Sequence, residues 1–387
     1  MDAGRCPASI HFYGKFHGYP AIFCVSSCIN IHFMVYYAIF FLKSARVCVP
    51  SIRQKACDRM NHSEPILEIR DLCVQFHTAE GTVQAINNLN YTLHKGEKLG
   101  IVGESGSGKS VSSLGIMQLI PNPPGEITGG QILYKGEDLV TKNEREMQKI
   151  RGNEISMIFQ EPMTSLNPIV KCGSQIAESL ILHRGMKKKD AMAEAIRMMK
   201  AVGIANPEVR AHEYPHQMSG GMRQRVMIAM ALACRPQILI ADEPTTALDV
   251  TIQAQILDLI RELNESMDTS VLFITHDLGV VSELCDTVIV MYTGRIVEMA
   301  PADDLFREPK HPYTIGLMKA IPRITKDRPP LETIAGSVPN PTEKIEGCSF
   351  WPRCPHASEH CRKAEPPVVN LSGSRQVKCW QYADHAE

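Results

Sequence analysis

Short apolar runs separated by polar and turn residues recur between residues 64 and 300, and they predict buried strands. The clearest runs cover residues 66–72, 98–102, 237–243 and 270–275. Runs of this length, bounded by glycine or charged residues, are typical of strands that lie inside a sheet. Helical segments separate the runs, so the pattern predicts an α/β fold.

Two segments in the middle of the chain predict helices. Residues 187–202 are rich in Lys, Glu and Met, and residues 222–234 follow a Ser-Gly-Gly sequence that can open a helix. The region of about 141–235 therefore differs from the strand-rich parts on either side of it.

Composition changes this picture little. The chain has 387 residues, of which 44% are hydrophobic, and its formal net charge is −1. This length can hold two or three domains. No basic run is comparable to a nucleic-acid-binding tail, so we expect no nucleic-acid partner.

A glycine-rich loop follows the apolar run 98–102. Its residues complete the pattern G-x-x-x-x-G-K-S: Gly103, Glu104, Ser105, Gly106, Ser107, Gly108, Lys109 and Ser110. Between a strand and a helix, the backbone N–H groups of such a loop bind phosphate oxygens. Lys109 can reach the β- and γ-phosphates, and Ser110 can bind Mg²⁺. The loop predicts a nucleoside triphosphatase; a glycine–serine turn with a chance lysine is the alternative.

Two carboxylates end the apolar run 237–243. Asp242 and Glu243 stand where ligands bind in open α/β sheets, beyond the carboxyl end of a buried strand. Asp242 is placed to hold Mg²⁺, and Glu243 to orient and deprotonate an attacking water. A strand that ends in solvated acids is the alternative, which the upstream P-loop disfavours.

A second candidate anion site lies between these two motifs. Ser219, Gly220 and Gly221 open the predicted helix 222–234, and a helix N-terminus favours negative charge. Taken alone, the segment equally fits an ordinary capped helix start.

The order of the P-loop, Gln160, the Ser219-Gly220-Gly221 segment, the Asp242-Glu243 pair and His276 resembles the ATP-binding subunit of an ABC transporter. The resemblance covers about residues 64–382. It implies a P-loop NTPase core with an antiparallel β part over 64–300, a helical signature subdomain over 141–235, and a small Cys/Pro-rich C-terminal extension over 301–387.

The signature segment departs from the family pattern at Met218 and Met222, where Leu and Gln are usual, and a glutamine appears instead at Gln224. The departure leaves the hydroxyl and glycine backbone that the family uses on the γ-phosphate. It removes support only for a functional role of the side chain at position 222, where methionine replaces the usual glutamine.

The resemblance implies roles for residues that spacing alone leaves without one. Gln160 would contact the metal and the water, Asp249 would lie in a loop crossing a dimer interface, and His276 would contact the γ-phosphate. Phe76, in a predicted loop over 76–85, would stack on adenine; a core residue of a strand is an equal alternative.

Three segments, 158–168, 245–249 and 311–317, together with the Cys-rich tail, resemble the oligopeptide/dipeptide importer branch. The resemblance implies ATP-driven peptide import at the cytoplasmic face of the inner membrane. The implied partners are a second ABC ATPase subunit, two transmembrane permease subunits and an extracytoplasmic peptide-binding protein. Import of nickel complexes or glutathione, or a non-transport ABC ATPase, are the alternatives.

Four cysteines of the tail, Cys348, Cys354, Cys361 and Cys379, have the spacing C-x5-C-x6-C-x17-C. Zinc ribbons use closer pairs, so the spacing does not fit a standard zinc site. Tails of the importer branch are associated with a [4Fe–4S] cluster, which four thiolates can hold. Free thiols and zinc are the alternatives. We expect this tail to lie far from the P-loop.

The first 59 residues lie outside the family-like sequence. Residues 21–42 contain no charged residue and have the length of a membrane span, although Ser26, Ser27, Asn30 and His32 interrupt them. We interpret residues 1–59 as an extension outside the fold, translated from a start site that is not the natural one. A membrane anchor is the alternative.

Overall fold

The structure is a computed structural model. The residues that it describes are 13–16, 19–22, 64–160, 165–245, 250–321, 333–343, 345–371 and 373–385. The chain divides into two units, Met1–Lys55 and Ala56–Glu387. In the first unit, strands β1 (Tyr13–Phe16) and β2 (Tyr19–Ile22) form an antiparallel hairpin.

Most of the uncharged segment 21–42 lies outside the described residues. Within the described ranges, no helix combines the length and the apolar character that crossing a membrane requires. The interpretation of residues 1–59 therefore stays a prediction.

The second unit contains two sheets and a set of helices. Its strands are β3 (Pro65–Thr78), β4 (Gly81–His94), β5 (Lys98–Val102), β6 (Gly125–Tyr134), β7 (Glu137–Asp138), β8 (Ile155–Ile158), β9 (Ile238–Asp242), β10 (Ser270–Ile274), β11 (Thr287–Tyr292), β12 (Arg295–Pro301), β13 (Val369–Asn370) and β14 (Gln376–Val377). Its α-helices are α1 (Lys109–Ile116), α2 (Glu144–Ile150), α3 (Cys172–Arg184), α4 (Lys188–Ala201), α5 (Pro207–Arg210), α6 (Gly220–Leu232), α7 (Val250–Met267), α8 (Leu278–Leu284), α9 (Ala302–Arg307), α10 (Pro312–Lys319) and α11 (Glu359–Lys363).

The larger sheet has the strand order β13-β14-β12-β11-β5-β10-β9-β8. The strands from β11 to β8 are parallel, whereas β12, β13 and β14 add an antiparallel edge. Alternate side chains of the parallel strands enter two different cores: Leu239 and Phe273 join one, and Ile240 and Leu272 join the other. Burial on both faces explains why these strands read as continuous apolar runs.

The smaller sheet is antiparallel, with the order β4-β3-β6-β7, and it packs on one of these cores. The predicted loop over 76–85 is wrong, because β3 and β4 continue through it. Phe76 pairs with Val83, and only residues 79 and 80 turn the chain. Cross-strand pairing extends the hairpin through this segment.

The helical part of the unit is built from α3, α4 and α6, which pack on each other, and α6 also packs on β8. Buried residues on these helices, such as Ile176, Met199 and Val226, belong to the core on the other face of the large sheet. Helix α3 ends at Gly185, whose φ of 62° is the left-handed conformation that ends helices. The helices predicted over 187–202 and 222–234 correspond to α4 and α6.

The tail returns to the large sheet through an aromatic cluster. The ring of Phe350 lies 5.3 Å from those of Tyr292 and Tyr313 and 5.8 Å from that of His311. All four residues are buried. Burial lowers the pKa of His311 to about 3, so this imidazole is neutral at physiological pH.

A buried carboxylate joins β12 to the two segments that follow it. Glu298 is fully buried, and its oxygens accept hydrogen bonds from the backbone N–H groups of Lys310 (2.9 Å) and His311 (2.8 Å). The Arg375 guanidinium, itself buried, donates to the same carboxylate at 3.0 Å. One side chain thereby connects the start of α10 and the strand pair β13–β14 to the sheet.

We expect Glu298→Ala to lower the free energy of unfolding by about 3–5 kcal/mol, because it leaves the buried Arg375 charge unpaired. Urea unfolding followed by circular dichroism measures this change. Lys363→Ala is the matched control, since its exposed pair with Glu359 should contribute less than about 1 kcal/mol. Equal stabilities of the two variants would contradict the assignment.

Candidate functional site

The P-loop connects β5 to α1 at the carboxyl edge of the large sheet. Gly103 has no room for a side chain, because a Cβ there would lie 2.2 Å from the Met291 carbonyl oxygen. Gly106 has a φ of 78° and open space where its Cβ would be. The loop therefore exposes backbone around Ser105 and Gly106, while Ser107 and Gly108 are buried. This is the form of a phosphate-binding cradle.

Lys109 is buried beneath this cradle. Its Nζ donates hydrogen bonds to the carbonyl oxygens of Gly103 (2.8 Å) and Glu104 (2.9 Å). Burial lowers the pKa of Lys109, and the nearby carboxylates of Glu243, Asp242 and Glu104 oppose that shift. Phosphate oxygens would replace the carbonyls as partners of this ammonium group.

Ser110 and Asp242 meet across the sheet. The Ser110 hydroxyl donates a hydrogen bond of 3.0 Å to Asp242 Oδ1. Burial raises the pKa of Asp242 to about 6, with the adjacent Glu243 charge adding to the effect. At neutral pH this carboxylate is mostly ionised and poorly solvated, and it faces a hydroxyl oxygen. Such a pair of oxygen donors fits a Mg²⁺ ion.

Glu243 lies between two other residues that the sequence singled out. Its carboxylate accepts a hydrogen bond of 3.0 Å from Gln160 Nε2, and its other oxygen lies 3.2 Å from His276 Nδ1. The backbone of Glu243 has a φ of 45°, which is rare for a residue with a side chain. Its N–H donates to the Ile274 carbonyl, so the next strand holds this conformation in place.

A cavity of about 630 Å³ adjoins the P-loop. Its lining includes Phe76 from the antiparallel sheet, Gly106 and Val111 from the P-loop region, and the tail segment that contains Pro339 and Pro341. Phe76 also packs on Gly125 and on the core of that sheet. The structure therefore combines the two interpretations of Phe76: a strand residue that also lines the cavity.

The signature residues begin α6. Ser219 is the N-cap, and its hydroxyl accepts a hydrogen bond of 3.3 Å from the Met222 N–H. Ser219 and Gly220 are exposed. Among the described residues, no hydrogen bond is found between this helix start and the P-loop. The structure thus leaves the hydroxyl and the first turn of α6 accessible from outside.

Gln224 has a contact that sequence reasoning missed. This buried side chain donates a hydrogen bond to the carbonyl of Pro244, the residue after Glu243. The sequence held one signal for this contact: glutamine stands at position 224, and not at its usual place in the signature, position 222. The contact links the signature helix to the segment that carries the two acids. Asp249 lies outside the described residues, so its predicted place stays a prediction.

The tail reaches the P-loop, and the expectation that it lies far away is wrong. Arg353 forms a bidentate ion pair with Glu104, at 2.7 and 3.1 Å. The Glu104 N–H donates a 2.9 Å hydrogen bond to the Tyr313 hydroxyl. The physical reason is the strand order, because β11 and β12, on which the tail packs, continue the sheet directly beside β5.

Two of the four tail cysteines are joined through the backbone: the Cys348 N–H donates a hydrogen bond of 2.8 Å to the Cys361 carbonyl. Burial raises the pKa of Cys379 to about 11, and Cys348, Cys354 and Cys361 add to that shift. All four are free thiols. Within the described ranges, no three or more His, Cys, Asp or Glu side chains are arranged as a metal site. The four cysteines supply the kind of donor that an iron–sulfur cluster requires, but the described residues do not arrange them in a ligand geometry.

Comparisons with known proteins identify the family of the chain. Residues 86–246 match the family described as ABC transporter, and residues 297–361 match the C-terminal region of oligopeptide/dipeptide transporters.

Three curated relatives cover most of the chain. The oligopeptide transport ATP-binding protein AppD of Bacillus subtilis is 51% identical, over 82% of this chain and 97% of AppD. The oligopeptide transport ATP-binding protein OppD of Salmonella typhimurium is 50% identical, over 86% of this chain and 98% of OppD. The dipeptide transport ATP-binding protein DppD of Bacillus subtilis is 49% identical, over 84% and 97%.

Solved structures show the same fold. The dimeric structure of MJ0796, a bacterial ABC transporter cassette, has a TM-score of 0.56 and 29% identity. A dimeric post-hydrolysis state of the same cassette, bound to ADP and Pi, has a TM-score of 0.55 and 29% identity. Each comparison covers 61% of this chain and 98% of the cassette. The chain therefore belongs to the ABC transporter family, in the group of oligopeptide/dipeptide transport ATP-binding proteins.

Proposed function

We propose that the chain is the ATP-hydrolysing subunit of a membrane importer for oligopeptides or dipeptides. The observation that carries the proposal is the position of Glu243. Its carboxylate is held between Gln160 and His276, beside the Ser110–Asp242 pair and the P-loop. Relatives named for peptide transport, at about half sequence identity, supply the cargo class.

ATP would bind through its phosphates to the P-loop, residues 103–110. Lys109 would exchange its carbonyl partners for the β- and γ-phosphates. Ser110, Asp242 and Gln160 would hold Mg²⁺, which supplies charge neutralisation on the phosphates. The cavity beside the loop would take adenine and ribose, with the Phe76 ring against the base.

Hydrolysis then depends on the position of a few side chains. Glu243 would orient the attacking water and accept its proton, while His276 would contact the γ-phosphate. Gln160, which donates to Glu243, would change partner when the nucleotide binds. The rate gain comes from positioning and from charge stabilisation, and the reaction product itself is not the useful output.

A second ABC ATPase subunit would complete each site. Ser219, Gly220 and Gly221 of one subunit would contact the γ-phosphate held by the P-loop of the other, and Asp249 would lie at the interface. The exposure of the Ser219 helix start supports this arrangement. Closure of the dimer on ATP would pass motion to the membrane partner.

The helical part supports docking on two transmembrane permease subunits. Among the described residues of about 141–235, the large apolar side chains that are most exposed are Ile169 (82%), Leu182 (71%) and Val209 (61%). The chain would lie peripherally on the cytoplasmic face of the inner membrane. An extracytoplasmic peptide-binding protein would deliver the cargo, and no nucleic acid would take part.

The four tail thiols would hold a [4Fe–4S] cluster with a structural role. The donor set of Cys348, Cys354, Cys361 and Cys379, in which the Cys348 N–H is bonded to the Cys361 carbonyl, supports this proposal. Zinc or free thiols are the competing interpretations, and metal and thiol analysis distinguishes them.

We expect Glu243→Gln to lower ATP turnover by about 10²–10⁴-fold while ATP still binds, because an amide cannot accept the proton of water. Steady-state phosphate release and nucleotide titration measure the two effects. The control is Glu283→Gln, which alters a surface carboxylate paired with Arg261. Turnover at the level of the unchanged protein would end the assignment of Glu243 as the base.

The transport function is tested in a bacterial host that lacks its own peptide-importer ATPase. We expect the chain, with its cognate permease and binding protein, to restore uptake of a labelled peptide. The Glu243→Gln form should not restore it. Uptake of nickel or glutathione without peptide uptake would replace the peptide assignment, and ATP hydrolysis without any uptake would favour a non-transport ATPase.

The composite site makes a prediction about mixed dimers of differently tagged copies. With Lys109→Ala in one copy and Ser219→Arg in the other, both changes fall on the same composite site, so one site should remain active. With both changes in one copy, each site is damaged and hydrolysis should fall to background. The reverse pattern in phosphate release would show that each subunit works alone.

If the cluster forms, anaerobically purified protein should be brown and contain about four irons and four sulfides per chain. Cys354→Ser should lose the colour, whereas Cys73→Ser, outside the tail, should keep it. Stoichiometric zinc in colourless protein would replace the cluster by a zinc site. Metal-free protein with four reactive thiols would leave free cysteines.

A further inference from the structure

All three polar groups of Glu104 in the P-loop have partners. Its carboxylate accepts hydrogen bonds from both terminal nitrogens of Arg353, at 2.7 and 3.1 Å. Its N–H donates to the Tyr313 hydroxyl at 2.9 Å, and its carbonyl accepts from Lys109 Nζ at 2.9 Å and from the Ser107 N–H at 3.2 Å. Two of these four partners come from the tail, more than 200 residues away in sequence.

The Arg353–Glu104 pair has the geometry of a strong ion pair. The Arg353 side chain is only 5% exposed, and its planar fork meets both carboxylate oxygens. Bidentate pairs of this kind define orientation as well as distance. The third nitrogen of the guanidinium, Nε, donates a hydrogen bond of 3.1 Å to the Ala335 carbonyl, so a second segment of the tail also fixes the arginine.

The position of Arg353 is set by the turn that carries it. Residues Trp351–Arg353 form a single 3₁₀ turn between Cys348 and Cys354. The preceding residue, Phe350, is buried between Tyr292 and Tyr313. The cysteine region and the aromatic cluster therefore aim one arginine at the P-loop.

The charge of Glu104 explains why the pair matters for nucleotide binding. An unpaired carboxylate in the P-loop would repel phosphate and compete for Lys109, on which the Glu104 charge acts. Arg353 compensates that charge. When phosphates draw Lys109 away from the loop carbonyls, the Ser107 N–H remains on the Glu104 carbonyl, and Arg353 and Tyr313 remain as the two contacts from the tail that hold Glu104.

We propose that Arg353 is a positioning residue for ATP: it acts through Glu104, keeps the P-loop cradle in place and removes a negative charge from the phosphate site. This inference rests on the proposed nucleotide site and goes beyond it, because it makes the C-terminal tail a part of that site. The turn Trp351–Arg353, which lies between Cys348 and Cys354, then supports ATP binding as well as the structure of the tail.

The test is a double-substitution cycle on the full chain, with ATP dissociation constants and steady-state kinetics as readouts. We expect Arg353→Gln to raise the dissociation constant and KM for ATP about tenfold, because it leaves the Glu104 charge uncompensated. The value of kcat should stay within about twofold, since the residues around the attacking water are unchanged. Adding Glu104→Gln should restore affinity to within about threefold of the original.

Arg362→Gln is the matched control, because Arg362 lies in the same tail, 4.8 Å from the Trp351 ring, and should leave ATP affinity unchanged. Unchanged affinity in Arg353→Gln would overturn the proposal. So would a double variant as weak as Arg353→Gln, which would make the arginine purely structural.

If Arg353→Gln does not fold, Arg353→Lys takes its place in the cycle. Lysine keeps the charge but loses the fork, and we expect ATP to bind about threefold more weakly. Affinity equal to that of the unchanged protein would overturn the proposal here too. Absence of ATP binding to the unchanged protein would instead overturn the proposed function.

Discussion

The parallel pairing of β5, β10 and β9 is the constraint on which the site depends. Register places Ile274 beside both Ile101 and Asp242, so these strands end together. The loops that follow them therefore bring the P-loop, the two acids and His276 to one edge. A shift of one strand's register by one residue would move its side chains into the opposite core, and the close packing on both faces of the sheet opposes such a shift.

Much of the nucleotide site could be predicted from the sequence because its signals are local. A complete loop motif, an apolar strand ending in acids and a capped glycine pair each lie within about ten residues. The observed strands β5, β9 and β10 lie within one or two residues of the predicted ones. Gln160 and His276 enter the prediction only through the resemblance to a known family, because their separation along the chain carries no geometric information. Their contacts with Glu243 are seen only in the structure.

The features that could not be predicted depend on partners distant in sequence. Neither the Arg353–Glu104 pair nor the Arg375–Glu298 pair leaves a periodic or motif signal. An arginine in a proline-rich tail is typical of an exposed loop, and only the folded sheet shows which carboxylate it meets. The predicted loop over 76–85 is wrong for a related reason, since pairing between β3 and β4, and not local preference, extends the two strands there.

The fully buried carboxylate of Glu298 has a consequence for how tails could be exchanged between relatives. A chimera joined after β12 keeps the Glu298 carboxylate, but the segments that donate hydrogen bonds to it come from the other protein. The graft leaves this buried carboxylate without a charged partner unless the incoming tail supplies an arginine equivalent to Arg375. A tail exchange that preserves this buried pair would thus have to move the tail together with the sheet residue beneath it.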